Sequence, residues 1–577
     1  MSATISNPMR TVSRRLLGLR WRLPAFAIAA FVCLPVAALT LTAFEGSVGL
    51  WPHMIRYVLP AALRDTLVLL VGVGVLTTLI GTTTAWIVTA YDFPGRRFLE
   101  WGLLLPLAVP TYIIAYAYLD IMHPVGSVQG VLRYLLGYSS PREFRLPDIR
   151  SMGGCILLLG LVLYPYVYLT TRSMFLTQAA SLVEVSRTLG SRRRDVFWRV
   201  ALPLARPAIA VGVSLALMET LNDIGASEFL GVKTLTVSVY TTWISRSDMP
   251  GAAQISLAML FLVVGLVLIE RHARRNQRYT AAAQRPRAMG TFRLTGYRAA
   301  GAFAVCIVPV ALGFVVPAVY LGVEAYKRYR FAGLSERLLG EVVNTVTVAT
   351  AATAIVLLCG LVVAYAARTY PGRATATAAR ISTLGYAIPG TVLALGLLMP
   401  IGALDRMLAT GAERIFGVSI GLLLLGSGTA IVLAYSARFM AIATGGIEAG
   451  FSRISPSLDH AARMLGQTSS GVFRKVHLPL SKPALVSAGL LAFVDCMKEL
   501  PATLLLRPLN FETLATHLYG EAARGTYEEA SIAALLIVVI GILPVAVLSR
   551  VGRGDRPEVV GDRGQAAAGR EVSNAGE

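Results

Sequence analysis

Apolar runs of about 20 residues, each long enough to cross a hydrocarbon core of about 30 Å at 1.5 Å per residue, recur along almost the whole chain. Short polar segments rich in arginine separate them. Twelve spans are predicted, the first six at 24 to 44, 66 to 90, 99 to 119, 152 to 171, 207 to 221 and 252 to 270. The second six lie at 299 to 323, 343 to 367, 382 to 402, 418 to 437, 484 to 497 and 530 to 549. The fifth and eleventh reach charged residues before they are long enough, so they either continue past those charges or bend there. The pattern predicts an all-α membrane protein.

Composition agrees: 55% of the 577 residues are apolar, 15% are charged and the mean hydropathy is +0.64. The net charge of +21 would suggest nucleic acid in a water-soluble protein, but the basic residues do not form one patch interleaved with aromatics. They follow the loops instead: Arg10, Arg14, Arg15, Arg20 and Arg22 before the first span, Arg192 to Arg194, the linker Arg271 to Arg298, and Arg550, Arg553 and Arg556. Twelve spans put all of these on one side, so the positive-inside rule predicts cytoplasmic termini and linker, and no nucleic-acid partner. The first apolar run is long enough to span and has no clear small-residue cleavage site after it, so it reads as an uncleaved helix. Cys33, Cys155, Cys306, Cys359 and Cys496 all lie in apolar segments without a CxxC pair, which suggests neither a disulfide framework nor a metal site.

The two halves repeat each other. Asp65-Thr66 answers to Asn344-Thr345, Pro94-Gly95-Arg96 to Pro371-Gly372-Arg373, LAVPT at Pro110 to YAIPG at Pro389, and LNDIGASEFLG at Asp223 to MKELPATLLLR at Glu499, with an offset between 276 and 279 residues. Two parallel six-helix repeats imply a pseudo-twofold axis along the membrane normal and a pathway between the halves. The expected organisation is a cytoplasmic N-terminus with the first helix (1–65), a first core (66–270), a basic linker (271–298), a seventh helix with an outer loop (299–342), a second core (343–550) and a disordered tail (551–577).

The most specific pattern also occurs twice. EVSRTLG and then LPLARPAI run from Glu184 to Ile209; HAARMLG and then LPLSKPAL run from His460 to Leu485. Ser181 and Glu184 form a capping-box pattern, Gly190 suits a helix end, and a second short helix over about Arg192 to Val200 is expected to stop at Pro203. In the second copy Ser455 or Ser457 starts the helix, Gly466 ends it and Gly471 to His477 return. A doubly capped helical lever of this kind can carry a push from outside the bilayer into helix tilt inside it.

This pattern resembles the EAA loop of ABC importer permeases of the type I class, and both halves of the chain carry it. The resemblance implies two tandem six-helix type I permease halves in a bacterial inner membrane. Glu184, Gly190, Leu202 and Pro203 match in the first copy, and Ala461, Ala462, Gly466, Leu478 and Pro479 in the second. The first copy departs at Val185-Ser186; the second has His460 at the glutamate position with Asp459 just before it, about 100° around the helix. The implied partners are two cytoplasmic ABC ATPase subunits, one for each loop, and a periplasmic substrate-binding protein. The chain itself has no GxxxxGK[ST], no HExxH and no Ser-His-Asp arrangement with a plausible context, so ATP hydrolysis is expected on another subunit and no cofactor is implied. MKELPATLLLRPLNFETLATHLYGEA looks like the fused double permeases of ferric iron importers; thiamine, polyamine, phosphonate and sulfate importers share the EAA loop and remain alternatives.

Charges inside a span cost about 2.5 to 3.5 kcal/mol each at a helix centre. Glu219 and Asp223, and Asp495, Lys498 and Glu499, fall at equivalent ends of the fifth and eleventh spans. They either line the translocation pathway or its outer gate and favour a cation or a water-filled cavity, or sit at the outer interface and pair locally, as Lys498 could with Asp495. An ion-gradient-driven transporter would share the duplication but would not need the two levers; a scaffold would not repeat the charges, and a membrane enzyme would show a catalytic constellation.

Overall fold

A computed structural model of the protein describes residues 8–46, 51–176, 193–274 and 291–554. Among them, eleven helices are long and apolar enough to cross a membrane, and a broken pair makes up to twelve. In the first half these are α1 (Pro8–Glu45), α2 (Leu59–Ala90), α3 (Thr111–Ile121), α4 (Met152–Met174), α5 (Leu202–Asn222) and α6 (Met249–Arg274). The second half contributes α7 (Gly296–Ala332), α8 (Glu336–Thr369), α9 (Gly390–Phe416), α10 (Thr429–Ser452), α11 (Leu478–Met497) and α12 (Tyr527–Gly554). A two-residue parallel bridge, Tyr91–Asp92 with Phe292–Arg293, is the only strand pairing among the described residues.

Each half has a three-helix centre, α2–α4–α5 and α8–α10–α11. Small residues let these backbones meet, the usual source of helix contact in lipid, where apolar side chains gain nothing by leaving the hydrocarbon. Gly81 lies against Tyr164, Val167 and Tyr168, and its counterpart Gly360 against Ala443 and Thr444. The first helix of each half crosses to the other: α1 packs along α8 and α9, while α7 packs along α2, α4 and the turn Leu105–Ala108. Gly396 admits the backbone of Pro35 at one crossing, and Gly313 admits that of Leu161 beside Pro106 at the other.

Prolines shape the spans in two ways. At Pro110 the third span breaks, with the helical stretch Arg96–Ala108 bent 90° from α3, because a proline disfavours the helical conformation of the residue before it. Val109 accordingly takes an extended ψ of 114°. At Pro389 the chain turns the same way, from the short helices Arg373–Ser382 and Leu384–Ala387 into α9.

Elsewhere proline does not stop the helix. Four wide π turns, Met54–Val58, Phe197–Ala201, Ala311–Val315 and Phe473–His477, each run directly into a residue-proline pair, at Pro60, Pro203, Pro317 and Pro479. Leu202 N–H bonds to Phe197 O and Leu478 N–H to Phe473 O, five residues back. The widened turn accommodates a ring that has no N–H to give and would otherwise clash one turn back. The expected stop at Pro203 is therefore corrected: Phe197–Asn222 is one continuous helix, as is Ser470–Met497.

The tenth span also needs correction, because α10 begins at Thr429 rather than near 418. Residues 417–428 are apolar enough to mimic a helix, but Gly417, Gly421, Gly426 and Gly428 interrupt them. Asp405 holds this segment in a loop, its carboxylate accepting the amides of Leu423, Leu424 and Leu425 at 3.1, 2.8 and 2.9 Å. The fifth and eleventh spans bend at their charges: α5 ends before Asp223 and α11 before Lys498, and short helices Gly225–Phe229 and Pro501–Leu506 follow.

Candidate functional site

Two regions hold the residues singled out by sequence. At one end of the bundle lies the second copy of the repeated loop. Ser455 caps the helix Pro456–Met464, its hydroxyl accepting the Ser457 amide at 3.3 Å. Gly466 closes it with φ +78°, and the amides of Gly466 and Gln467 bond back to Arg463 O and Ala462 O, both at 3.0 Å. The chain then returns through Ser469–Val472 and the π turn into α11, with Leu478 and Pro479 inside the continuous helix. In the first copy Leu202 and Pro203 occupy the same junction, whereas Glu184 and Gly190 lie outside the described residues.

The loop presents one face outward and anchors the other. His460 and Ala461 are exposed, as are Leu458, Met464 and Leu465, the last two by more than 80%. Ala462 is buried. Asp459 turns inward: its Oδ1 lies 2.6 Å from Nε2 of His477 on the return limb, and its Oδ2 accepts from Arg368 of α8 at 3.2 Å. Arg368 also donates to the carbonyls of Phe451 and Ile454, so one guanidinium ties α8, the foot of α10 and the loop together. Burial raises the Asp459 pKa, but the His477 and Arg368 contacts outweigh it and leave the carboxyl below its ordinary value.

The second region lies between the halves. Glu219, Asp223, Asp495, Lys498 and Glu499 all line one small cavity of about 90 Å³, with Thr111, Tyr166, Asn222, Tyr386 and Arg438. Asp223 Oδ2 accepts the amide and hydroxyl of Ser227 at 2.8 and 2.9 Å, and its Oδ1 accepts the Thr111 hydroxyl at 2.6 Å. Glu499 does the same for the other half, accepting the amides of Ala502 and Thr503 at 3.0 and 3.2 Å and the Thr503 hydroxyl at 2.9 Å. Each carboxylate thus satisfies free amides at the start of a short helix, which offsets much of the cost of burying it. Asp495 and Lys498 do pair locally, at 2.8 Å, while still facing the cavity.

Bonds between the halves close this cavity. Asn222 Oδ1 accepts from Arg438 Nη1 at 2.7 Å and from the Gly390 amide at 2.8 Å. Tyr386 donates to Glu219 at 2.8 Å, while within the second half Arg438 reaches Glu499 at 3.3 Å. Gly390, at the start of α9, has no room for a Cβ, which would meet both Arg438 and Glu499. The sequence reading missed Arg438 because the tenth span was drawn to end at residue 437; the signal was a lone cation inside AYSARFMAIA. Asn222 and Tyr386 carry no charge and gave no signal at all.

The profile of the family described as binding-protein-dependent transport system inner membrane component matches residues 77–279 and again 356–551. The Fe(3+)-transport system permease protein FbpB 2 of Haemophilus influenzae is 24% identical over 525 residues, covering 90% of this chain and 96% of its own. A putative 2-aminoethylphosphonate transport system permease protein, PhnU of Salmonella typhimurium, is 30% identical over 34% of this chain and 68% of its own. The sulfate transport system permease protein CysT of the same organism is 26% identical over 41% of this chain and 86% of its own. With a match in each half, the chain belongs to the binding-protein-dependent transport system inner membrane components and carries that unit twice, as a fused multi-pass permease of the type I ABC importer class.

Proposed function

We propose that the chain forms the translocation pathway of a ferric iron importer, with both termini and both repeated loops on the cytoplasmic side. The observation that carries the cargo assignment is the charge of the cavity between the halves. Four carboxylates, Glu219, Asp223, Asp495 and Glu499, face it against two cations, Lys498 and Arg438. Low-dielectric walls magnify such an excess, which favours a cation and opposes sulfate or a phosphonate. The end-to-end similarity to a Fe(3+)-transport permease supports the same cargo.

The two loops are the docking points for two ATPase subunits, with Glu184, Gly190, Leu202 and Pro203 in the first and Asp459, His460, Ala461, Gly466, Leu478 and Pro479 in the second. The apolar tip Leu458, Met464 and Leu465 supports this reading for the second loop. Because the return limb and α11 are one helix, displacement of the loop tilts α11 and moves Asp495, Lys498 and Glu499 at its far end. Nucleotide-driven closure of the ATPases and docking of a loaded periplasmic binding protein would together open the halves outward. At about 90 Å³ the cavity has room for a few water-sized groups, which fits a closed step of the proposed cycle.

The test is reconstitution in vesicles with the ATPase and binding-protein partners. ATP-dependent accumulation of iron supplied as ferric ion on the binding protein is expected. Accumulation of sulfate or 2-aminoethylphosphonate in place of iron would overturn the cargo, and transport without any ATPase would overturn the mechanism.

A further inference from the structure

At the end of the second half opposite its coupling loop, three ionisable side chains converge away from the central cavity. Glu341 stands in the second turn of α8, Glu512 just before the helix Leu514–Arg524, and His517 within that helix. Nδ1 of His517 lies 3.0 Å from Glu341 Oε1 and 3.9 Å from Glu512 Oε2. One ligand atom from each residue falls within 4.8 Å of the others.

Two further observations point to a ligand. The Glu341 side chain is only 3% exposed, yet among the described residues neither of its oxygens receives a well-directed hydrogen bond, although His517 and Arg337 stand at ion-pair distance. Those ion pairs offset part of the cost of burying the carboxylate, and its lone pairs that lack a directed donor stay open to a further ligand. The duplication supplies the second observation. Stepping back 279 residues from Glu341, Glu512 and His517 leads to Ala62, Lys233 and Ser238. The scaffold around both sets is the same, since Thr66 accepts the Leu235 amide and Thr345 accepts the Leu514 amide, each at 2.9 Å. The fold therefore closes at this place without the cluster, which the second half carries and the first does not.

We propose that Glu341, Glu512 and His517 form a binding site for a transition-metal cation, with one imidazole nitrogen and two carboxylate oxygens as ligands. That donor set, with no sulfur, suits ferric, manganous, cobaltous or zinc ions. Arg337 and Arg507 now balance Glu512, at 3.0 and 3.2 Å. Arg337 is 64% exposed and reaches the cluster from solvent, so its guanidinium withdraws into water when a metal takes its place. The location of the site on the outer side rests on the orientation proposed above; the metal binding does not. On that side the site would receive a cation before it reaches Glu219 and Glu499.

Cobaltous ion is a suitable probe because nitrogen and oxygen ligation gives it a visible absorption band. Titrated into the full-length chain in nanodiscs, it should saturate at one equivalent. Replacing His517 by Gln or Glu341 by Gln should weaken that binding about tenfold or more. Arg337→Ala, which removes a competing cation from an exposed position, should tighten it; an ion-pair cluster with only a structural role would show no such gain. Absence of saturable binding in the wild type, or equal affinity in H517Q and R337A, would overturn the proposal. Iron uptake without cobalt binding would sink the site and leave the iron cargo standing. Cobalt binding in a chain that moves sulfate would do the reverse.

Discussion

The carboxylate of Asp459 lies 2.6 Å from Nε2 of His477, joining the outward helix of the second repeated loop to its return limb. Since the return limb continues into α11, this contact fixes the loop helix against α11. Asp459→Ala leaves His477, which is 2% exposed, without its partner. Loss of a buried charged hydrogen bond costs about 1 to 3 kcal/mol locally. The expected outcome is normal insertion, faster amide exchange over 456–464 and a several-fold loss of substrate-stimulated ATPase activity. A carboxyl with a lowered folded pKa contributes fully above its unfolded value of about 3.9 and loses its contribution as pH falls through the folded value. Exchange over 456–464, corrected for its intrinsic pH dependence, should therefore owe nothing to Asp459 titration between about pH 6 and 8, and protection should fall only in strong acid.

Gly466 offers a separate test of the same lever. Its φ of +78° is left-handed, and nothing lies within 4 Å of the Cβ it lacks. A side chain there meets conformational strain and no clash. Valine should cost about 1 to 2 kcal/mol or more, whereas asparagine, which tolerates this conformation, should cost much less. Uptake should fall strongly in Gly466→Val and recover in Gly466→Asn. Equal uptake in wild type and valine variant would remove the rigid helix end from the coupling mechanism.

The loop was legible because its chemistry is local: a serine cap, a glycine end and a Leu-Pro pair at fixed spacing each act over a few residues. The span count was legible for the same reason, since hydropathy is summed along the chain. Partners far apart in sequence were not. Asn222 meets the Gly390 amide across 168 residues and Arg438 meets Glu499 across 61, and neither spacing has a period. The crossing of α1 and α7 to the opposite half is likewise a property of packing. The start of α10 was misplaced because a carboxylate on another helix, Asp405, stabilises an apolar loop that hydropathy alone reads as helix. The π turns before Pro203 and Pro479 left only the proline as a trace, and proline alone reads as a stop.

Arg438 and Glu499 are 5% and 2% exposed at the side chain, and their contact at 3.3 Å is the buried ion pair that faces the cavity between the halves. Breaking such a pair from one side costs about 3 to 5 kcal/mol, because a charge is left buried and unpaired. Arg438→Ala should therefore lower thermal stability in detergent, and the double variant Arg438→Ala, Glu499→Ala should lose less than the sum of the two single losses, although Glu499 also holds the amides of Ala502 and Thr503. A double variant less stable than the single by the full cost of Glu499→Ala would show that the two groups act independently.

Thr66 and Thr345 test whether the two halves are equivalent where the sequence says they are. Each hydroxyl is buried, donates to a carbonyl one turn back, Ala62 O and Glu341 O, at 2.7 Å, and accepts the first amide of a helix lying across it. Valine keeps the shape and removes the acceptor, leaving the Leu235 or Leu514 amide unpaired in a buried place. Each substitution should cost about 1 to 3 kcal/mol. The two sites lie in different halves and share no partner, so their effects should add to within about 0.5 kcal/mol in the double variant. Thermal unfolding followed by tryptophan fluorescence supplies the measurement. A destabilisation confined to Thr345→Val would mean that the neighbouring Glu341 cluster, present in the second half alone, sets the stability there rather than the shared clasp.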